Sequence, residues 1–185
     1  MRYIIKPAIT LFITAVITTA ALSVVYNYTF EPIQIQRVRK QEAAMRAILP
    51  QASGFQEIST EKSGSIVAVF EGLNNGNLVG YVVALSPRGY SGNIDLMVGI
   101  TVPNDRMTGI RIVQHSETPG LGALAAKEDF YRRFDDRSLA PLGVVRASPG
   151  EHDISAISSA TITTRAITGA VNEALTWFRT VVRGQ

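Results

Sequence analysis

The chain has 185 residues, with 18 basic and 15 acidic side chains for a net charge of +3, and it contains two histidines and no cysteine. This length allows one domain with its own core plus an additional segment. The lack of cysteine excludes disulfides, thiolate-held iron–sulfur clusters and a cysteine nucleophile in this chain. Two histidines exclude a three-histidine zinc site, and the dispersed charge gives no support for nucleic-acid binding, so we expect neither a metal site nor a nucleic-acid partner.

Residues 7–30 form an uncharged, mostly apolar run, PAITLFITAVITTAALSVVYNYTF. A helix of this length, at about 1.5 Å per residue, crosses the roughly 30 Å hydrocarbon core of a membrane. A cleaved signal peptide is the alternative, because Arg2 and Lys6 precede the run and residues 19–21 could serve as a cleavage site. The length of the run and the aromatic residues near its end favour an uncleaved transmembrane helix.

Thr10, Thr14 and Thr18 share one face of this helix. Such a face packs well against other helices, but threonine hydroxyls also bond to their own helix backbone, and the sequence leaves both interpretations open. Arg2 and Lys6 favour a cytoplasmic N-terminus over residues 1–6, whereas further basic residues follow the span, so charge alone does not fix the orientation.

Residues 31–50 have a helix-forming composition, with Pro32 suited to a first turn and Pro50 to a stop. We therefore expect a separate juxtamembrane helix before a domain at residues 51–185. In that domain, four runs are rich in β-branched residues, and turn signals separate them: SIVAVFE from Ser65, LVGYVVALS from Leu78, NIDLMVGITV from Asn93 and GIRIVQH from Gly109. They predict a curved antiparallel sheet of about four strands.

Helical patterns follow the strands, over residues 122–134 and, more strongly, over residues 164–182. Strands followed by helices predict an α+β domain.

Residues 155–164, SAISSATITT, carry six hydroxyl side chains and lead into the last helix. The N-terminus of a helix offers unpaired N–H groups and a positive dipole end, both suited to phosphate. The alternative is that Thr163 or Thr164 is an N-cap in a polar loop. The nearby His152 and Asp153 do not indicate a serine hydrolase, because the chain has no G-x-S-x-G elbow.

Two glycine-rich segments precede this one, RGYSGNI at residues 88–94 and HSETPGLG at residues 115–122. Pro119-Gly120 predicts a type II turn, and Gly122 predicts a positive φ or a close approach. Each segment alone is typical of a turn. Neither has the spacing of a Walker loop or a dinucleotide-binding fingerprint, so nucleotide hydrolysis and NAD binding have no support.

Together, an N-terminal membrane helix, GYSG, ETPGLG and an S-x-A-T-x-T segment before a C-terminal helix resemble the covalent-flavin electron-transfer subunits. This family includes the G subunit of Rnf-type electron transport complexes and the C subunit of sodium-pumping NADH:quinone oxidoreductases. The resemblance covers nearly the whole chain, and the short length is more similar to the Rnf G subunit.

In that family a separate flavin transferase joins the phosphate of FMN to the threonine that ends S-G-A-T. The matching residues here are Ser158, Ser159, Ala160 and Thr161, so the resemblance implies covalent FMN on Thr161. It implies further cofactor-binding residues in the same three segments: Thr163, Gly89, Tyr90, Ser91, Gly92, Glu117, Thr118, Pro119, Gly120, Leu121 and Gly122. Among these we expect Tyr90 and Leu121 to pack against the flavin ring.

The chain departs from the family pattern at two positions. Ser159 stands where glycine is usual, which matters if the backbone there needs a positive φ, and we expect serine to be tolerated because it is small. Ser155 stands where the transferase recognition segment commonly has an aspartate, and Asp153 lies two positions earlier. For Asp153, a solvated turn acid is the favoured interpretation over a displaced recognition residue.

The resemblance implies an electron-transfer subunit with covalent FMN in an Rnf-type complex, which couples electron flow between ferredoxin and NAD to ion translocation. Its partners would be the other membrane and peripheral subunits, the flavin transferase and membrane lipid. It also implies a single-pass protein of the bacterial inner membrane with a periplasmic flavin domain, no catalytic residue and no complete reaction alone. One alternative is a non-redox accessory subunit that has lost the flavin; another is an anchored enzyme whose glycine-rich loops bind a soluble ligand.

Overall fold

The computed structural model describes residues 2–59 and 63–184. The chain forms two units, Met1–Lys40 and Gln41–Gln185. A single helix, α1 (Arg2–Ile48), supplies the described part of the first unit, and its last residues belong to the second. The expected break before a juxtamembrane helix is wrong, because Pro32 lies inside α1. A proline removes one intrahelical hydrogen bond, and the neighbouring turns carry the helix through.

Within the described residues, α1 is the one helix long and apolar enough to cross a membrane. Its large apolar side chains between Ile5 and Val38 are exposed. The hydroxyls of Thr10, Thr14 and Thr18 donate to backbone carbonyls one turn earlier at 2.9 or 3.0 Å. These bonds satisfy the hydroxyls without a partner helix, as a lipid environment requires. Packing of this face against another helix stays a prediction.

The second unit is built on a six-stranded antiparallel sheet in which each strand pairs with the next along the chain. The strands are β1 (Gly54–Ile58), β2 (Ile66–Asn74), β3 (Asn77–Leu85), β4 (Ile94–Thr101), β5 (Arg106–His115) and β6 (Arg137–Ser138). Strands β2 to β5 confirm the predicted meander, and Asn75-Gly76, with φ of 50° and 82°, forms the tight turn between β2 and β3. The edge strands β1 and β6 lack an apolar pattern, and the sequence did not predict them.

Both faces of this sheet are covered. On β3, Tyr81, Val83 and Leu85 belong to the main core, whereas the intervening Val82 and Ala84 pack in a second cluster. The main core receives the apolar face of the last helix, and the second cluster receives Ala44, Met45, Ile48 and Leu49 from the end of α1 and the turn after it. Because alternate side chains point to opposite faces, the central strands are almost continuously apolar.

The predicted helix at residues 122–134 is three short pieces: a 3₁₀ turn at Gly122–Ala126, the helix α2 (Glu128–Tyr131) and a second 3₁₀ turn at Arg132–Phe134. Lys127 interrupts them with an extended backbone (φ −85°, ψ 151°). Two short parallel strands, β7 (Gly143–Val145) and β8 (Asp153–Ser155), form a separate pair that was not predicted.

The last helix, α3 (Thr161–Trp177), continues as a π turn at Phe178–Val182. It ends where the apolar pattern predicted, but it begins before the predicted Thr164, so Thr161 is its first residue. The sheet with flanking helices is the α+β arrangement expected.

Candidate functional site

The hydroxyl-rich segment turns into α3 at Ala160, which is the N-cap and makes no side-chain capping bond. Thr164 lies inside the helix, where its buried hydroxyl donates to the Ala160 carbonyl at 3.1 Å and accepts from the Ile157 N–H at 3.0 Å. Thr163 also lies inside the helix. The alternative that one of these threonines is the N-cap is therefore wrong. Within the described chain, the N–H groups of residues 161–163 have no acceptor, as expected of a helix start without a cap.

The three hydroxyls at the start of α3 differ in their surroundings. Those of Thr163 and Thr164 are buried and bonded to protein groups. Thr161 is half-buried, and among residues 2–59 and 63–184 its hydroxyl has no hydrogen-bond partner. It also borders two clefts. Thr161 is therefore the hydroxyl of this helix start that is free to react or to bind a ligand.

Ser159 has a φ of 61° and so occupies the left-handed region. Glycine, which the family motif S-G-A-T has at this position, adopts this conformation readily. Serine adopts it at a cost of about 1 to 2 kcal/mol. The departure from the motif therefore falls at a position where the backbone does need a positive φ. The chain reaches the same turn with a strained serine.

A buried carboxyl group holds the three segments of the site together. The Oε2 atom of Glu117 accepts a 2.6 Å bond from Thr163 Oγ1, and its Oε1 atom accepts a 3.0 Å bond from the Ser91 N–H. These bonds join the ETPGLG loop to the start of α3 and to the GYSG loop. The described residues place no cation in a salt bridge with Glu117.

Gly89 and Gly122 make room for this carboxyl group. A Cβ on Gly89 would lie 2.4 Å from Glu117 Oε1, and one on Gly122 would lie 2.2 Å from Glu117 Oε2. Both separations are too short for non-bonded atoms, so a side chain at either position would displace the Glu117 carboxyl group. The close approach predicted for Gly122 is confirmed, whereas a positive φ is not found there.

The Pro119-Gly120 turn is also confirmed. The Leu121 N–H donates to the Thr118 carbonyl at 3.2 Å, and Gly120 has a φ of 77°, as a type II turn requires. This turn raises Leu121 to the surface, where 42% of it is exposed.

Between the three segments lies a cleft of about 380 Å³, here called the Tyr90 cleft. It is lined by Tyr90, Glu117, Thr118, Leu121, Gly122, Ser159, Ala160, Thr161, Ile162 and Thr163. Tyr90 is 72% exposed and Ile162 is 56% exposed, so apolar and aromatic surface faces this opening without a protein partner covering it. The volume and the lining suit a flat, partly apolar ligand.

Most of the residues predicted from sequence meet in this cleft. Of the remainder, five lie in the same two loops without lining the cleft: Gly89, Ser91, Gly92, Pro119 and Gly120. Ser158 lines a different cleft. Ile162 also lines the Tyr90 cleft, and the sequence did not predict it as a site residue. Its position between two threonines at the start of an amphipathic helix is the signal that could have indicated an exposed apolar side chain.

The second cleft, here called the Arg146 cleft, has a volume of about 400 Å³. It is lined by Arg146, Ala156, Ile157, Ser158, Ser159 and Thr161. Thr161 and Ser159 therefore border both clefts. Arg146 lies in no motif, and no sequence pattern singled it out.

Upstream of the helix, Asp153 accepts a 3.1 Å bond from the Gly150 N–H within its own turn. This supports the interpretation of Asp153 as a turn acid. Elsewhere, His115 Nδ1 accepts from the Glu117 N–H at 3.2 Å. In the described part of the chain, His, Asp and Glu side chains form no group of three that could hold a metal ion.

Two known protein families match parts of the sequence. The FMN-binding domain family matches residues 89–176, which include the three segments of the site, and the RnfG N-terminal region matches residues 1–48. The chain is 32% identical over 179 residues to the G subunit of the ion-translocating oxidoreductase complex of Methanosarcina acetivorans, covering 94% of each chain. It is 34% identical to the G subunit of the proton-translocating ferredoxin:NAD(+) oxidoreductase complex of Clostridium ljungdahlii, covering 95% of this chain and 91% of the relative.

Solved structures show the same fold. NqrC of Shewanella oneidensis superposes with a TM-score of 0.52 at 22% identity, covering 68% of this chain and 66% of that one. The C subunit of the Na(+)-translocating NADH-quinone reductase of Parabacteroides distasonis gives a TM-score of 0.51 at 23% identity, covering 60% of each chain.

Proposed function

Because the chain belongs to the family of G subunits of the ion-translocating oxidoreductase complexes, we propose that it carries FMN covalently on Thr161 and transfers electrons within such a complex. Membership in this family confirms the resemblance drawn from the sequence. The chain is an FMN-binding electron-transfer subunit, and the covalent bond, its position and the orientation in the membrane are the parts that we propose.

The observation that carries the attachment to Thr161 is its free hydroxyl at an uncapped helix start. An uncapped first turn and a positive dipole end stabilise the negative charge of a phosphate. The Tyr90 cleft beside it offers aromatic and apolar surface of a size that a flavin ring system requires. The residues present therefore fit FMN at both its anionic and its aromatic end.

Attachment of FMN to Thr161 is a phosphoryl transfer, so it changes no oxidation state and needs no oxidant or reductant. Thr161 Oγ would give its proton to a base of the flavin transferase and form a bond to phosphorus, while a phosphoanhydride bond of the flavin donor would break and the nucleotide would leave with the electron pair. The donor therefore belongs to the class of flavin dinucleotides, and a flavin transferase supplies the catalytic groups. In this chain Glu117 has both carboxyl oxygens bonded to protein groups, so we assign it the role of holding the site together.

When bound, FMN supplies one- and two-electron chemistry. The residues of this chain would bind and orient it: Tyr90 and Leu121, which line the cleft, would pack against the ring, and the bond to Thr161 would prevent its loss. The matched relative from Clostridium belongs to a ferredoxin:NAD(+) oxidoreductase complex. We infer that this chain likewise passes electrons between carriers on partner subunits of a ferredoxin:NAD complex and completes no reaction alone.

Ultraviolet fluorescence of the denatured chain from its native membrane tests the covalent bond. Flavin fluorescence that migrates with the denatured chain in a gel is the expected result. A dark band from cells with an active flavin transferase would contradict the proposal, and it would favour a non-redox accessory subunit in which the strained Ser159 turn blocks attachment.

We also propose that α1 spans the inner membrane once, with residues 51–185 on the periplasmic side. The chain has no cysteine, so a Glu151→Cys variant carries a single, exposed thiol. A membrane-impermeant thiol reagent added to intact spheroplasts is expected to label it. Labelling only after the membrane is broken would contradict this orientation.

A further inference from the structure

The short parallel pair of strands positions the backbone next to Arg146 beside the attachment segment. Arg146 directly follows β7, whose Val145 pairs with Ser155 of β8. The Ala156 N–H also donates to the Val145 carbonyl at 2.7 Å. These backbone contacts place Arg146 at the rim of the cleft that Ser158 and Thr161 also line.

Arg146 is exposed, and its guanidinium group has no partner among the described residues. It forms no hydrogen bond or ion pair with any residue in the described ranges 2–59 and 63–184, and no acidic residue lines its cleft. Two neighbouring arginines differ, because Arg133 donates to the Ser155 carbonyl at 2.6 Å and Arg137 donates to the Glu151 carbonyl. Arg133 and Arg137 brace the loop, whereas Arg146 is left available to a ligand.

The two clefts that meet at Thr161 have different chemistry. Arg146 is the basic side chain among the described residues that line either cleft, and the exposed Ser158 adds a hydroxyl on the same side. The Tyr90 cleft combines the aromatic and aliphatic side chains of Tyr90, Leu121 and Ile162 with hydroxyl groups and the Glu117 carboxyl group, and its lining contains no basic residue. A ligand held at Thr161 with one anionic and one aromatic end therefore has a matching environment on each side.

We propose that Arg146 binds the phosphate of the flavin attached at Thr161, so that the phosphate lies in the Arg146 cleft and the ring lies in the Tyr90 cleft. This inference rests on the proposed attachment of FMN. A phosphodiester keeps one negative charge, and a guanidinium group donates two parallel hydrogen bonds to phosphate oxygens. The open N–H groups at the start of α3 add to this binding. Arg146 acts as a positioning residue for the incoming donor and as a counter-charge for the finished ester.

The test uses the full-length chain in detergent with purified flavin transferase and a flavin dinucleotide. Intact mass gives the initial rate of modification for the parent, Arg146→Gln and Arg146→Lys. Arg46→Gln is the matched control, because Arg46 is exposed and lines neither cleft. We expect Arg146→Gln to be modified about tenfold more slowly, the size of a lost charge-assisted hydrogen bond, and Arg146→Lys to recover part of the rate. Arg46→Gln should match the parent.

A second measurement detects the contact in the finished product. In the modified fraction of each variant, we compare the ³¹P chemical shift of the phosphodiester with that of the modified parent. It should differ in Arg146→Gln and be unchanged in Arg46→Gln. A parent-like rate and an unmoved resonance in Arg146→Gln would overturn this inference alone. An equal loss of rate in Arg46→Gln would also overturn it, because the effect would then be one of general charge. A parent chain without flavin would overturn the proposed attachment and this inference with it.

Discussion

Thr163 Oγ1 donates a 2.6 Å hydrogen bond to Glu117 Oε2 across 46 positions of the chain, and both residues are buried. Because of this bond, Thr161 and Thr163, on either side of Ile162, have different roles. Thr163 fastens the start of α3 to the ETPGLG loop, and Thr161, two residues earlier, keeps a free hydroxyl at the junction of two clefts.

Substitutions at Glu117 separate a structural role from a chemical one. In Glu117→Gln the amide oxygen can accept from the Ser91 N–H, and the amide nitrogen can donate to the Thr163 hydroxyl, so the variant should lie within about 1 kcal/mol of the parent. Glu117→Ala leaves the Ser91 N–H unpaired and opens a cavity, at a cost of about 2 to 4 kcal/mol. Thermal unfolding in detergent measures both. Loss of flavin attachment in a folded Glu117→Gln variant would contradict a purely structural role.

Alanine substitutions at two glycines should have opposite effects. In Gly122→Ala the new methyl group collides with the Glu117 carboxyl group, so we expect destabilisation by about 1 to 3 kcal/mol and weaker flavin attachment. Gly169 lies inside α3, and apart from the local helix backbone no described atom lies within 4 Å of the position that an added methyl group would take. Gly169→Ala should therefore raise stability by about 0.5 to 1 kcal/mol. Equal unfolding temperatures for the two variants would argue against the packing described around Glu117.

Ser159→Gly should stabilise the attachment turn. Glycine relieves the left-handed strain of about 1 to 2 kcal/mol and loses about 0.5 to 1 kcal/mol through greater freedom of the unfolded chain. The expected net gain is about 0.5 to 1 kcal/mol, with faster modification by the transferase. Denaturant unfolding and the time course of flavin attachment measure the two effects. A destabilised variant would indicate that Ser159 contributes a contact that outweighs its strain.

Asp135 makes the stability of the domain depend on pH. The Asp135 side chain is 40% exposed, and partial burial raises the pKa of its carboxyl group above the ordinary value of 3.8, against a smaller opposing effect of Arg111, 4.0 Å away. A folded-state pKa above the unfolded value means that the folded chain binds the proton more tightly. The stabilising contribution is thus present below pH 3.8 and is lost as the pH rises through the raised pKa. Asp135→Asn should gain stability relative to the parent as the pH rises from about 3 to 6, as followed by its melting temperature. If the difference in melting temperature between Asp135→Asn and the parent stayed constant across this pH range, the raised pKa of Asp135 would be contradicted.

Hydrophobic periodicity was sufficient to predict the parts of the fold that bury a regular apolar pattern. Strands β2 to β5 carry such patterns, and so do α3 and the π turn that continues it to Val182. The strands β1, β6, β7 and β8 are too short or too polar to carry a regular apolar pattern, so hydrophobic periodicity does not mark them. The start of α3 was placed too late because serine and threonine favour caps over helix interiors, yet the cap is Ala160.

The site was predictable where a motif carried it and unpredictable where tertiary contacts decide the role. The resemblance singled out Thr161 and the walls of the Tyr90 cleft. The partnership of Glu117 with Gly89 and Gly122 depends on the folding of three separate segments onto one carboxyl group. Arg146 belongs to no motif, and only the pairing of β7 with β8 brings it near Thr161.

Peptide mass spectrometry on the chain from its native membrane tests the central claim most directly. Trypsin should release residues 147–165 as one peptide, because Arg146 and Arg165 bound it. Fragmentation should place the flavin phosphate on Thr161 in the parent. Thr161→Ala should lack it, and Ser148→Ala, an exposed hydroxyl in the same peptide and outside both clefts, should keep it. An unmodified parent peptide, or flavin retained in Thr161→Ala, would contradict the assignment of Thr161 as the attachment site.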